Sequence, residues 1–480
     1  MKRHLVALAL LFSMAGLVSA QAPYRVFTSP KLPMRDALQR MNLTTAWTTR
    51  VTVDGNRDGL ASVQIVPGKN PQVVVQTFKG AVYLFDADNG DLVWKTQVGV
   101  PFWAVQAAAF NAHNIFVTRR NMLYVLNRED GAHRAFTFNS RTEEYTFGAE
   151  LSYAPSATPI ADEDFIYFPM GNRVHAIDVH RDTFGPRKPK TKNGRAVFVD
   201  EIGRETFDSP QPEFYWGYST GNQLVTSAPL IFNGQLSILT GNGELTSLPR
   251  FNKGRLQERF EFRTTGNTPA GAGQHQHIAY LASDDFNLYA VDMQKGDLLW
   301  RYASGAPIKR KPEVTDRDIY VAPERVGLRR LHRATGRIVW TNRDTSRFLA
   351  ANNDYVYALN HHGEFFVLDH RRGTTLAKLD LSNWAINVPN EWTDRVYLAA
   401  NDGQILCLRH RDLKNPLFMK ALPEWADVKV EPKPPPKKKV APKEDARRQL
   451  PLGDARLLVA APPRPVLRVD AEAFRKTSRP

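Results

Sequence analysis

The chain has 480 residues, 24% of them charged, with a formal net charge of +15 and one cysteine. A single Cys excludes an intrachain disulfide framework and a c-type haem held through Cys-x-x-Cys-His. The charge is uneven: residues 421–480 hold 14 Lys and Arg against 8 Asp and Glu, so the remainder is only mildly basic. A solvated surface explains that remainder better than a nucleic-acid site does.

Taken in chain order, Met1 to Ala20 reads as a secretory signal peptide. Lys2, Arg3 and His4 supply its charged start, Leu5 to Leu17 its apolar stretch, and Val18-Ser-Ala20 the small residues of a cut before Gln21. The apolar stretch is short for a bilayer span, and no longer one follows, so an exported chain without a transmembrane segment is expected. No Cys lies near residue 21, which excludes lipoprotein anchoring there. Residues 21–43 form a polar leader, with a turn or two of helix expected within Pro33–Asn42. Trp47 to Val53 then reads as an orphan strand ahead of the first repeat.

From there a phrase recurs: alternating apolar residues, a polar turn with Gly, and a second apolar run ending in Trp. The clearest copy carries Asp86, Gly90 and Trp94; a near duplicate carries Asp292, Gly296 and Trp300; a third carries Gly336 and Trp340. Weaker copies centre on Gly131, on Asp178, on Asp369 with Gly373, and on Leu406–Asp412, and a degenerate one on Gly254. Glycines 254, 296, 336 and 373 are 42, 40 and 37 residues apart. A period near forty with alternating apolar patterning indicates stacked four-stranded units, the blades of a β-propeller. The fold class expected is therefore all-β: four-stranded antiparallel blades, eight from the count of turn phrases, with seven still compatible. Turn glycines supply positive φ, turn aspartates cap their own turns, and each Trp packs one blade on the next.

Two stretches interrupt the repeat. Residues 183–224 stretch the spacing, beginning with a basic loop and ending in Phe214, Tyr215, Trp216 and Tyr218. That aromatic run is a candidate contact loop, or else folds back onto the propeller. Thr264–His277 is a second loop, whose His275 and His277 are ordinary strand-entry histidines rather than a metal pair, as are His361 and His362 in a similar turn. Cys407, between Leu406 and Leu408, reads as a buried inert residue. Residues 426–480, opening on the run Glu431–Lys439, read as a disordered Pro/Lys/Arg-rich tail able to meet an anionic surface or an acidic partner.

The repeat resembles the pyrroloquinoline-quinone-like (PQQ-like) propeller repeat, including its Ser-x-Pro strand start at Ser227-Ala-Pro229 and, more loosely, at Ser156-Ala-Thr-Pro159. The resemblance spans residues 44–425 and implies a ring closed by pairing the N-terminal strand with the last blade. Asn415–Met419 competes for the same place. Two functional classes share the repeat. One is the quinone-dependent dehydrogenases, which need a central quinone, a calcium ion with oxygen ligands and a catalytic Asp. Their adjacent-cysteine disulfide cannot form here, and no compact Glu, Asn and Asp constellation matches their site. The other is a non-catalytic scaffold, resembling the propeller subunit of the outer-membrane β-barrel assembly machinery, although the lipid-anchoring Cys of that family is missing. The expectation is an exported, non-catalytic binding or scaffold propeller in the periplasm or cell envelope. It is expected to have a protein partner, no catalytic residue, no metal and no cofactor. PQQ with calcium, or an envelope polysaccharide, is the alternative ligand.

Overall fold

A computed structural model describes residues 29–53, 58–139, 144–180, 190–192, 195–199, 205–206, 214–251 and 257–427. The signal peptide, the tail from 428, Gly254 and most of the 183–213 insert lie outside the described residues. Eight four-stranded antiparallel sheets form eight blades of a propeller.

Blade 1 shows the plan. Its strands run Leu60–Val66, Gln72–Thr77, Ala81–Asp86 and Leu92–Gln97, from the inner edge outward. The second and third strands bury nearly every residue, because both of their faces meet neighbouring blades. The outer strand has one deeply buried residue, Trp94. Strand direction alternates, so each blade has two ends. One end, the turn face, carries the turns from first to second and from third to outer strand. The other, the crossover face, carries the second-to-third turns and the chain's crossings between blades.

Blade 8 closes the ring. Its outer strand is Leu43–Arg50, which pairs antiparallel with Gln404–His410 from Leu43 opposite His410 to Arg50 opposite Gln404. The pairing removes the free edge that would otherwise template association. Asn415–Met419 takes no part in it. A short helix, Arg35–Arg40, precedes the closing strand and packs Leu38 into the apolar cluster between blades 7 and 8.

Two elements depart from the sequence reading. The aromatic run Phe214–Tyr218 is not a loop: it is the outer strand of blade 3, Phe214–Ser219, paired with Arg173–Asp178. Trp216 is buried there at the position Trp94 holds in blade 1. Only the stretch before residue 214 is inserted, and its described part is a small sheet of Lys190–Lys192, Arg195–Val199 and Glu205–Thr206. Blade 2 has a second extension, a hairpin of Phe136–Asn139 and Glu144–Phe147 that interrupts its outer strand.

Candidate functional site

The recurrent residues have positions in the ring. Trp47, Trp94, Trp216 and Trp340 each donate an indole N–H to a carbonyl of the next blade, at Ala87, Arg128, Arg250 and His370, with distances of 2.8–2.9 Å. Trp47, Trp94, Trp300 and Trp340 lie flat on Gly90, Gly131, Gly336 and Gly373 of the next blade, and Phe260 replaces Trp over Gly296. A methyl group at Gly90 would sit 2.6 Å from the Trp47 ring, and φ there is +78°, so both space and backbone favour glycine. Asp86, Asp178, Asp292 and Asp369 each accept backbone N–H bonds within their own turns. These positions build the turns and the blade-to-blade packing.

Chemistry-bearing side chains converge elsewhere, along the central channel. A cavity of about 1170 Å³ runs past the inner strands, with Gln64, Gln106, Ser227 and Gln274 among its polar lining. Its turn-face end is crossed by residues 415–427. Leu417 and Asp394 exchange bonds, with Leu417 N–H donating to Asp394 Oδ1 at 2.8 Å and Asp394 N–H to Leu417 O at 3.0 Å. Met419 N–H donates to Trp392 O at 2.8 Å and Ala421 N–H to Asp316 Oδ1 at 3.0 Å. The segment passes blades 8 and 6 and ends on blade 2, where Trp425 packs edge-on to Phe110 and beneath Arg128. In an eight-blade ring, blade 2 lies across the axis from blade 6, so the segment straps the channel.

Beneath the strap lies a four-charge cluster. Lys420 Nζ donates to Glu391 Oε1 at 2.7 Å and sits 4.7 Å from the centre of the Trp392 ring. The other Glu391 oxygen accepts the Val314 N–H at 3.0 Å. Lys311 Nζ lies 3.9 Å from both Glu391 and Glu313. Protein surrounds Lys311, yet its side chain is 49% accessible, because the ammonium faces the cavity. The nearby Glu391 carboxylate pushes the Lys311 ammonium up. Burial alone would raise Glu391, but Lys311 and Lys420 outweigh it and hold that carboxyl low. Burial pushes Glu313 up and Lys420 down. Among the described residues, no group of three or more His, Cys, Asp or Glu is placed to hold a metal ion.

The histidines singled out in the sequence do not meet in one site. His275 is buried, 2.8 Å from Asp316 Oδ1, in the inner strand of blade 5, while His277 lies in the turn that follows. The rings of His361 and His362 meet tilted by 44° in an exposed turn of blade 7. Cys407 is buried in blade 8. Lys311, Asp316, Glu391 and the strap carry no motif; the sequence signal near them was the strand-like Asn415–Met419, read as a rival for the closing strand.

On the crossover face, apolar side chains stay exposed. Phe78 and Phe102 meet through a backbone bond at 2.8 Å, with Val100 beside them, and Tyr153 and Leu224 follow on the next two crossovers. Tyr153 is 72% exposed and Phe102 61%.

Residues 37–181 and 241–349, just over half of the chain, match the family model described as outer membrane protein assembly factor BamB. The chain belongs to the BamB family of PQQ-like propellers. Among solved structures, BamB from Moraxella catarrhalis superposes with a TM-score of 0.55 at 15% identity, over 77% of this chain and 98% of that one. The computationally designed Ika8 protein superposes with a TM-score of 0.50 at 13% identity, over 76% of this chain and 98% of that one. Identities this low show the shared fold alone. Nothing among curated protein sequences matches. Membership in the BamB family supports an interaction scaffold at family level, and no helix among the described residues is long and apolar enough to cross a membrane.

Proposed function

We propose that this chain is an exported, non-catalytic scaffold that holds a protein partner in the cell envelope. The observation that carries the reading is the set of exposed apolar residues on the crossover face, with Phe78 in a turn of blade 1 beside Val100 and Phe102 on the first crossover, then Tyr153 and Leu224 on the next two. A stable soluble protein gains nothing from leaving such a set on one face, whereas a partner would bury it. Membership in the BamB family supports the same reading. The quinone-and-calcium alternative is less well supported. Calcium asks for six to eight oxygen ligands, and of the carboxylates along the cavity Glu391 is already engaged by Lys420, Lys311 and a backbone N–H, while Asp162 is paired with Arg250.

The test is a cross-linked pull-down from native envelope with residues 21–480. One reproducible protein partner, lost on Phe102→Glu with Tyr153→Glu, supports the scaffold. Tight quinone binding with dye-linked oxidation in the presence of calcium would replace it with the enzyme. Removal of 183–224 is unsuitable as a probe, because it would delete the outer strand of blade 3.

A further inference from the structure

The strap is held differently from the strands it touches. Its contacts include a short antiparallel bridge from Phe418 to Thr393, a few backbone bonds, the Ala421–Asp316 bond, the Lys420–Glu391 pair, and Met419 and Trp425 packed half-buried against the blades, with no apolar side chain of the strap fully buried. Phe418 is 43% exposed, whereas Val396–Ala399 and Ile405–Leu408 of blade 8 are buried throughout. A segment with so little buried apolar surface opens locally at much lower cost than the blades.

The charge cluster is arranged for such an opening. Pulling one partner out of a buried ion pair normally strands the other charge, at a cost of several kcal/mol. Here Glu391 has two lysines. Lys420 arrives with the strap at 2.7 Å, and Lys311 belongs to the ring and waits at 3.9 Å, its ammonium facing the cavity. When the strap leaves, Glu391 keeps a cation. What remains is a groove with acceptors in a row: Asp394 Oδ1, Trp392 O, Glu391 Oε1 and Asp316 Oδ1, ending at Phe110 and Arg128. The row suits an extended chain that donates backbone N–H groups, brings one ammonium to Glu391, and ends in an aromatic ring.

We propose that residues 415–427 are an exchangeable occupant of this groove, which also takes an extended partner segment of the same chemistry: a lysine flanked by apolar residues, with an aromatic residue about five positions on. This rests on the scaffold reading and names the kind of segment the partner presents. An intramolecular strap competes at an effective concentration in the millimolar range, so it holds the groove closed until a better segment arrives.

The first test uses the wild-type chain. Hydrogen exchange of the Met419 and Ala421 amides should be at least a hundredfold faster than that of Leu398 and Leu406 in blade 8. Exchange of the strap only at the blade rate would show a fixed element and overturn the proposal. The second test uses a fluorescein-labelled peptide of residues 414–427. The full chain carrying Lys420→Ala with Trp425→Ala should bind it at least tenfold more tightly than wild type does. Adding Asp316→Asn with Glu391→Gln should remove that binding. Equal binding by wild type and strap variant, or none by a strap variant with wild-type circular dichroism and cooperative unfolding, overturns the proposal. In the envelope pull-down, the strap variant should capture more partner than wild type, and free strap peptide should displace it. A partner captured equally by both, and indifferent to the peptide, leaves the scaffold standing and removes this groove as its site.

Discussion

Ring closure by Leu43–Arg50 also docks one indole on the next blade, and the contribution of that indole can be isolated. Trp47 comes from the N-terminal strand yet is buried against blade 1, with its N–H bonded to Ala87 O at 2.8 Å and its ring over Gly90. Trp47→Ala removes a buried aromatic and leaves a cavity, at about 3–5 kcal/mol. Gly90→Ala puts a methyl group 2.6 Å from the ring at a backbone angle of +78°. The left-handed conformation alone costs about 1–2 kcal/mol, and overpacking the ring adds about 1–3 kcal/mol. If the close approach causes that second part, it disappears once the indole is gone. Gly90→Ala should then cost only about 1–2 kcal/mol in the Trp47→Ala background, a coupling of about 1–3 kcal/mol. Denaturant unfolding of the four proteins, followed by far-ultraviolet circular dichroism, measures the cycle. Equal costs for Gly90→Ala in both backgrounds would refute ring-on-glycine docking as the reason for the recurring pair.

Three further outcomes are expected. Asp318 lies 2.8 Å from the Arg330 guanidinium and 3.1 Å from His370; burial pushes its carboxyl up, but His370 and Arg330 outweigh burial and hold it below the usual range. A depressed carboxyl stabilises the fold above its ordinary value and loses that stabilisation as pH falls through the folded value. Asp318→Asn should therefore cost about 3–5 kcal/mol at pH 7, in a gap that narrows below about pH 4; a gap constant from pH 7 to pH 3 would contradict the ion pair. Burial pushes the Cys407 thiol up, so a thiol reagent should label no site in the native chain and one per chain after unfolding, and labelling at the native rate of a free thiol would place Cys407 at the surface. Tyr153→Glu and Leu224→Glu should each leave stability within about 0.5 kcal/mol while reducing partner capture, and undiminished capture by both would move the contact surface off the crossover face.

The turn phrases made the propeller legible because each is a local event: a hairpin turn, an aspartate capping it and a following Trp fall within about a dozen residues. The count of eight turn phrases favours eight blades over seven, and the family resemblance, together with a strand at Trp47–Val53 that has no blade of its own, points to the closure that Leu43–Arg50 makes with Gln404–His410. Where the local link is broken, the reading stops short. In blade 3 the third strand ends at Asp178 and the outer strand begins at Phe214, with no turn signal joining them, so the sequence leaves the aromatic run open between a contact loop and a segment folded back on the propeller, where the structure places it. In blade 4 the slot of the docking indole is filled by Phe260, which no pattern keyed on Trp would find.

The strap was misread for a related reason. Its contacts lie on blades 8, 6 and 2, far apart in sequence, so Asn415–Met419 looked like a rival for the closing strand. Only the ring brings Lys311, Glu391 and Lys420 together, from positions 311, 391 and 420. The residues with period forty thus build the scaffold, while those outside the period close its channel. In a repeat protein the periodic positions are fixed by packing of like on like, so specificity has to be carried by what breaks the period. For this chain that directs attention to two places, the strap over the channel and the uneven apolar crossovers of blades 1 to 4 on the opposite face.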